Sequence, residues 1–413
     1  MRFAVVHATR FKLYSRDHKH LQAIMQDVFE RKDQAVAEYT ERFDGVKLNP
    51  EEFKVPRDDL QSAHTNIDDS LLQSVRQAIA NVKKYQKEIF IGNTNTHPGV
   101  KYTPIKRVGI CVPGASAPLP STVIMTAVPA QVAGVHSIVV VSPPRHKGGI
   151  HPVILAVCYE LGIDEVYRIG GAQAVAALAQ GTTTIQRVEK IVGPGNQWVQ
   201  MAKREAFGLV DIDSVAGPSE VLIIANDKAN PAWVAADMLS QAEHAPGSAV
   251  LFTDSEDLAR NALNELKKQV EQLDRPKETT ECLKQFSAVV TFNSMEKAIE
   301  TANDFASEHL EIQCGNQSRE IAHKIENAGA IFIGDYSPVA VGDYWAGPSH
   351  TLPTGMTAKF FSPLSANDFI KSTSIIEYDK DKLAESAEDI IRLAEAEGLD
   401  AHAKSIKFRL KQT

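Results

Sequence analysis

Residues 107–142, RVGICVPGASAPLPSTVIMTAVPAQVAGVHSIVVVS, decide how the rest of the chain is read. The stretch opens on one β-branched run, RVGICV, and closes on another, SIVVVS, while the residues from about 121 to 134 carry the apolar spacing of a helix. A strand, a crossover helix and a second strand make a βαβ unit, so the two strands should be parallel. The alternation continues with EVYRI (165–169) and KIVG (190–193) as strands and helices at about 149–161 and 172–181, giving one α/β unit over roughly 107–220. A second series follows. EVLIIA (220–225), AVLFTD (249–254), AVVTF (288–292), HLEIQC (309–314) and AIFIG (330–334) read as strands, separated by helices at about 230–243, 255–275, 295–305 and 318–328. The expected fold class is α/β: two similar units, each a mainly parallel sheet with helices on both faces.

The flanks are helical instead. Residues 19–43 and 69–90 place apolar side chains at three- and four-residue spacing with charges between, which predicts amphipathic helices packed on the second α/β unit. After SPLSANDFIK (362–371) the chain becomes charged again in DKLAESAEDIIRLAEAEG and AHAKSIKFRL, a small helical unit. The expected boundaries are 1–106, 107–220, 221–363 and 364–413.

At 413 residues, with 43% apolar and 23% charged side chains, the composition is that of an ordinary soluble globular protein with room for several structural units. No apolar run approaches the roughly 18 residues of a membrane span, and the N-terminus MRFAVVHATRFKLYSRDHKH scatters charges where a signal peptide would have an apolar core. A net charge of −8 with both signs interspersed argues against general nucleic-acid binding. Cys111, Cys158, Cys282 and Cys314 show no CxxC spacing and read as reduced core residues, as in a cytoplasmic protein.

Chemistry concentrates in the second half. In ADMLSQAEHAP (236–246), Gln241 and His244 stand three apart at the end of a predicted helix, so both fall on one face. Such pairs are more often solvated helix surface, yet an imidazole and an amide oxygen also suit zinc in a site that keeps a position open. Glu308 and His309 end a segment read as helical, Asp343 and His350 lie in the glycine- and proline-rich GDYWAGPSH (342–350), and Glu397 and His402 lie in a turn between two helices near the end. Gly170 and Gly171 follow a predicted strand and precede a helix, and GPGNQW (193–198) repeats the arrangement. Both could seat a phosphate at a helix N-terminus. Neither is a full dinucleotide fingerprint, since the third glycine is missing and no acidic residue stands at the expected distance.

The strings GGAQAVAALAQGT (170–182), KIVGPGNQWV (190–199), AGPSEVLIIA (216–225), LSQAEHAPGS (239–248), SEHLEI (307–312), GDYWAGPSHTLPT (342–354), SPLSANDFIK (362–371) and EGLDAH (397–402) occur in the order in which the histidinol dehydrogenases carry them. The chain resembles that family from about residue 20 to its end. The resemblance implies two incomplete Rossmann-like units, with NAD on the first at Cys111, Gln173 and Asn196. It implies Zn2+ held by Gln241, His244, Asp343 and His402, these four contacting substrate together with Ser219, His309, His350 and Glu397. It further implies a homodimer in which the C-terminal unit completes a neighbour's active site. Glu308 and His309 would carry the catalysis: His309 takes the alcohol proton, Glu308 activates water. The implied reaction is L-histidinol, two NAD and water going to L-histidine through a bound aldehyde, L-histidinal. A paralogue acting on another amino or sulfonated alcohol, and a zinc hydrolase, are the alternatives. The sequence departs at VGICVPGA (108–115), where the family has VGLYVPGG: Cys111 replaces a cofactor-contacting tyrosine and Ala115 a glycine.

Overall fold

The structure, a computed structural model, describes residues 2–93, 97–114, 118–244 and 247–411. It divides into two compact units, the larger comprising Met1–Ile91 and Pro104–Ile370, the smaller Gly92–Thr103 and Lys371–Thr413. The larger unit begins with helices α1 (Arg2–Arg31), α2 (Asp33–Asp44), α3 (Arg57–Thr65) and α4 (Asp69–Ile89). The predicted helix over 19–43 is two helices, because Lys32 turns the chain with φ 54°.

Strand β1 (Val100–Pro104) forms a two-stranded sheet with a late strand. The first sheet then follows as β2 (Arg107–Cys111), α5 (Pro120–Ala133), β3 (Ser137–Val141), α6 (Pro152–Glu160), β4 (Glu165–Tyr167), α7 (Gly171–Gln180), β5 (Lys190–Val192), α8 (Gln197–Ala206) and β6 (Asp211–Ile212). The second sheet follows as β7 (Ser219–Ala225), α9 (Pro231–Ala242), β8 (Gly247–Thr253), α10 (Glu256–Val270), α11 (Pro276–Phe286), β9 (Ala288–Thr291), α12 (Met295–Phe305), β10 (His309–Gln313), α13 (Ser318–His323) and β11 (Ala330–Ile333). Helix α14 (Val339–Tyr344) comes next. The helix expected over 255–275 ends at Val270, and Pro276 starts the separate α11 at its first position, where a missing N–H costs nothing.

The first sheet is ordered β4-β3-β2-β5-β6 and the second β9-β8-β7-β10-β11, every pair parallel. Taken in chain order each is 3-2-1-4-5, the arrangement of a doubly wound sheet, with its switch point between the first and fourth strands. The central strands β2, β5 and β10 are buried along their whole length, as a sheet covered on both faces requires.

One expectation needs correction. The N-terminal helices pack chiefly on the first sheet's helices rather than on the second unit: α1 against α7 and α8, α2 against α7, α3 against α6 and α4 against α5, with α4 also touching the segment after α14 where Asn81 donates to the Trp345 carbonyl at 3.0 Å. Leu21, Ile24, Val28 and Val36 thereby join one apolar core with Val175, Leu178 and Ile191. All four cysteines are free and buried.

The smaller unit pairs β1 with β12 (Ile370–Ser374) and continues into α15 (Lys380–Ala396) and α16 (Asp400–Lys411). These two helices pack through Ala387, Ala394 and Ala403, and Lys407 reaches Glu395 at 2.6 Å. Among the described residues no helix is long and apolar enough to cross a membrane.

Candidate functional site

Two constellations stand out in the larger unit, one on each sheet. The first is a cavity of about 390 Å³ at the carboxyl ends of the first sheet's strands, and Cys111, Gln173 and Asn196 all line it. Four loops build it, following β2, β3, β4 and β5, with residues of α1 and α2 closing one side. Gly193, at φ +106°, lies so close to the Cys111 carbonyl that a β-carbon there would collide with it. The turn is held from below: Asp213 accepts from Gly193 N–H at 2.7 Å, and the fully buried Lys203 pairs with Asp213 and donates to the Gly193 carbonyl at 3.0 Å. Asn196 spends its side-chain oxygen on the start of α8, accepting from Trp198 N–H at 3.0 Å and Val199 N–H at 3.2 Å. Helix α7 has no such side-chain cap, so its first N–H groups face the cavity unclaimed by a cap. The Gln173 amide is fully buried, yet neither its nitrogen nor its oxygen has a partner among the described residues. Buried amides are normally satisfied, so this one points to a polar ligand. Burial pushes the Cys111 thiol up to about 12, which keeps it neutral and unreactive. Ala115 lies outside the described residues.

The second constellation lies at the amino ends of the second sheet's strands. Helix α12 stops at Phe305, Ala306 takes the left-handed conformation, and Glu308 therefore lies in a bend just before β10 while His309 opens that strand, so neither ends a helix. A β-carbon on Gly329 would come within 2.5 Å of the Glu308 carbonyl, so glycine lets the neighbouring strand approach there. Glu308 Oε2 accepts from Ser219 Oγ at 2.6 Å and from Glu220 N–H at 2.9 Å. These bonds favour the carboxylate, but burial prevails and pushes its pKa up to about 8. His309 Nδ1 lies 3.1 Å from the Glu220 carbonyl, which can only accept, so Nδ1 carries the hydrogen. The other nitrogen, Nε2, is buried without a hydrogen-bond partner, 3.8 Å from Asp343 Oδ1. Burial also lowers the His309 pKa, holding the ring neutral.

Asp343 sits in α14, its pKa raised by burial against the pull of the nearby His309 and His244 imidazoles. His350 is pushed down to about 4, by burial first, and its Nε2 lies 3.3 Å from Ser121 Oγ. Gln241 closes α9 with its amide nitrogen buried and unpartnered; His244 lies just beyond the helix end and is exposed. The fold thus gathers Ser219, Glu308, His309, Asp343, His244 and His350. Glu397 and His402 belong to the smaller unit, Glu397 at the end of α15 and His402 in the first turns of α16 rather than in the connecting turn, both exposed. Among the described residues no three His, Cys, Asp or Glu side chains converge closely enough to hold a metal ion.

Sequence reasoning passed over Glu220, whose N–H and carbonyl orient Glu308 and His309 while its carboxylate accepts from Gly355 N–H at 2.5 Å. It also passed over a buried trio behind the site. Gln313 donates to Asp237 at 2.7 Å and to Glu311 at 3.2 Å, and Glu311 accepts from Val339 N–H at 2.9 Å. Burial raises the pKa of both acids, so the pair holds a proton, and it ties α9, which carries Gln241, to α14, which carries Asp343. The string SEHLEI contained Glu311, but nothing in its spacing marked the residue as facing α9.

The family model for histidinol dehydrogenase matches residues 11–410. Histidinol dehydrogenase from Rhodopirellula baltica is 47% identical over 395 residues, covering 94% of this chain and 86% of the relative. That from Caldanaerobacter subterraneus subsp. tengcongensis is 46% identical, covering 95% and 92%. The crystal structure of histidinol dehydrogenase from Elizabethkingia anophelis superposes with a TM-score of 0.88 at 37% identity, covering 96% of this chain and 92% of that one.

Proposed function

This chain belongs to the histidinol dehydrogenase family, an oxidoreductase family of histidine biosynthesis, and on that premise we propose that it oxidises L-histidinol to L-histidine in two NAD-dependent steps through bound L-histidinal. The observation that carries the reading is the buried Glu308–His309 pair, a base with one fixed tautomer beside a carboxyl group tuned toward neutrality. Because Nδ1 is committed to the Glu220 carbonyl, Nε2 is the nitrogen that takes the alcohol proton. Glu308, with its pKa near the working range, draws a proton from the water that adds to the aldehyde. Ser219 positions that carboxyl group by its 2.6 Å hydrogen bond. NAD in the first sheet's cavity would supply the hydride acceptor, consistent with the unpartnered Gln173 amide.

The donor chemistry fits zinc, since Gln241, His244, Asp343 and His402 offer two imidazole nitrogens and two oxygens without thiolate, and the buried Gln241 side chain has its amide nitrogen unpartnered. Gln241, His244 and Asp343 would come from one chain and His402 from a second copy. Zinc would polarise the substrate oxygen and hold its amine. Support for a homodimer comes from the smaller unit, which leaves Ile376, Leu393 and Phe408 more than half exposed. With such an assembly the protein would work in the cytoplasm without membrane or nucleic-acid partners.

The test is NADH release from L-histidinol, with two NADH expected per molecule. One NADH, or none, would overturn the reading; turnover without NAD would favour a hydrolase. Removal of metal by a chelator should abolish turnover and added zinc restore it, and Asp343→Ala should lower bound zinc. Mixing separately inactive Glu308 and His402 variants should regain partial activity through hybrid dimers.

A further inference from the structure

The first sheet lacks the acidic residue that dinucleotide-binding folds place at the end of their second strand to hold the adenosine ribose. In this chain the corresponding strand, β3, runs out into Ser142, Pro143, Pro144 and Arg145. An acid nevertheless reaches the same cavity from elsewhere. Asp44, the last residue of α2, lines it together with Arg145, and the two are joined by a 2.7 Å bond from Arg145 Nε to Asp44 Oδ1.

Three features mark Asp44 as more than half of a surface ion pair. Its side chain is 3% exposed, whereas that of Arg145 is 38% exposed. Its second oxygen, Oδ2, is buried with no hydrogen-bond partner among the described residues. Carboxylate oxygens so placed are costly to leave unsatisfied. The residue also sits in the last turn of a helix, where the backbone dipole disfavours negative charge.

We propose that Asp44 is a cofactor-specificity residue, its free oxygen accepting the 2′-hydroxyl of the adenosine ribose and its charge excluding the 2′-phosphate of NADP. Arg145 anchors the carboxylate and is thereby kept from serving the phosphate itself. The acid that the fold needs is thus supplied from outside the βαβ unit by an N-terminal helix.

The inference rests on NAD occupying this cavity. Titration calorimetry of the full-length protein with NAD, NADP and the NAD analogue lacking the adenosine 2′-hydroxyl separates the two statements. The unaltered protein should bind NAD roughly ten- to a hundred-fold more tightly than the 2′-deoxy analogue, the loss of one hydrogen bond to a charged group. Asp44→Ala should weaken NAD to the level of the analogue and close the gap between them. Asp44→Asn, which keeps the shape and cancels the charge, should narrow the preference for NAD over NADP. An unaltered protein that binds NAD and the 2′-deoxy analogue equally would overturn the assignment, and that measurement does not depend on the variants folding. An unchanged gap in a folded Asp44→Ala would overturn it as well. Failure of the unaltered protein to bind NAD at all would instead overturn the cofactor reading of the cavity, and the assignment with it.

Discussion

The two five-stranded sheets share one topology and use opposite edges. The first follows the general rule for open α/β sheets, with its cavity in the crevice at the carboxyl ends beside the switch point between β2 and β5. The second collects Ser219, Glu308 and His309 at the amino ends of β7 and β10, the strands that flank its own switch point. At its carboxyl ends a side chain bridges the strands. Asn226, just past β7, donates to the Cys314 carbonyl at 3.4 Å and to Gln317 at 3.2 Å, and so bridges the ends of β7 and β10 where a ligand would enter. The first sheet has glycines in that place, which leave backbone N–H groups facing empty space. The difference teaches that topology offers a crevice, and the side chains after the strands decide whether it stays open.

The sharpest way to break this division of labour is at the amino edge. His309→Asn should slow oxidation of both histidinol and histidinal by roughly 10²–10⁴-fold while leaving the NAD dissociation constant unchanged, as read by single-turnover NADH formation and calorimetry. Glu308→Gln should spare the first hydride transfer and slow the second by a similar factor. Equal losses on both substrates in the Glu308 variant would show that the two residues act as one unit. The same variant has a pH signature. The folded-state pKa of Glu308 is raised from 4.5 to about 8, so its stabilising contribution is complete below about 4.5 and lost as pH rises through about 8. Thermal unfolding of Glu308→Gln should therefore lose part of the pH dependence seen in the unaltered protein across that window.

At the carboxyl edge, Gly193→Val meets both the Cys111 carbonyl and a φ of +106°. It should weaken NAD binding at least tenfold while bound zinc is unchanged, a strained backbone of this kind costing about 1–3 kcal/mol. Parallel loss of zinc would mean that the two edges are not independent. Smaller still, Asn226→Ala should lower stability by about 1–2 kcal/mol in denaturant melts, with kcat and KM unmoved, because it removes a bridge at the end of the sheet opposite Glu308 and His309. Changed kinetics there would break the comparison. Cys111→Tyr comes last. Cys111 lines the cavity, so an aromatic ring there that reaches the cofactor should add contacts worth about 0.5–1.5 kcal/mol and tighten NAD several-fold; unchanged or weaker affinity would mean a pocket rebuilt around the smaller side chain.

Much of the second sheet's site was legible through the resemblance that strings such as SEHLEI and AGPSEV carry, since spacing alone did not show that these residues meet. What was misread followed from local propensity. Read as one helical segment, EKAIETANDFASEH carries Glu308 and His309 at its end, but Ala306 turns left-handed, Glu308 falls in a bend, and His309 opens the strand that HLEIQC also marked. His402 reads as a turn residue because Gly398 precedes it, yet α16 has already begun at Asp400.

Periodicity alone determined the α/β class, the strands of both sheets except the two-residue β6, and the helical flanks, because buried strands and amphipathic helices leave repeating apolar patterns that each segment carries by itself. The third dimension decided what no single segment carries. Placement of the N-terminal helices on the first sheet, the arrival of Asp44 beside Arg145, the bridging of Asp237 and Glu311 by Gln313, and the commitment of His309 Nδ1 to the Glu220 carbonyl all join residues far apart in the chain. Burial sets the energy of each such meeting, since it raises the cost of an unpaired polar atom and moves a pKa, and burial is a property of the packed whole rather than of any window of sequence.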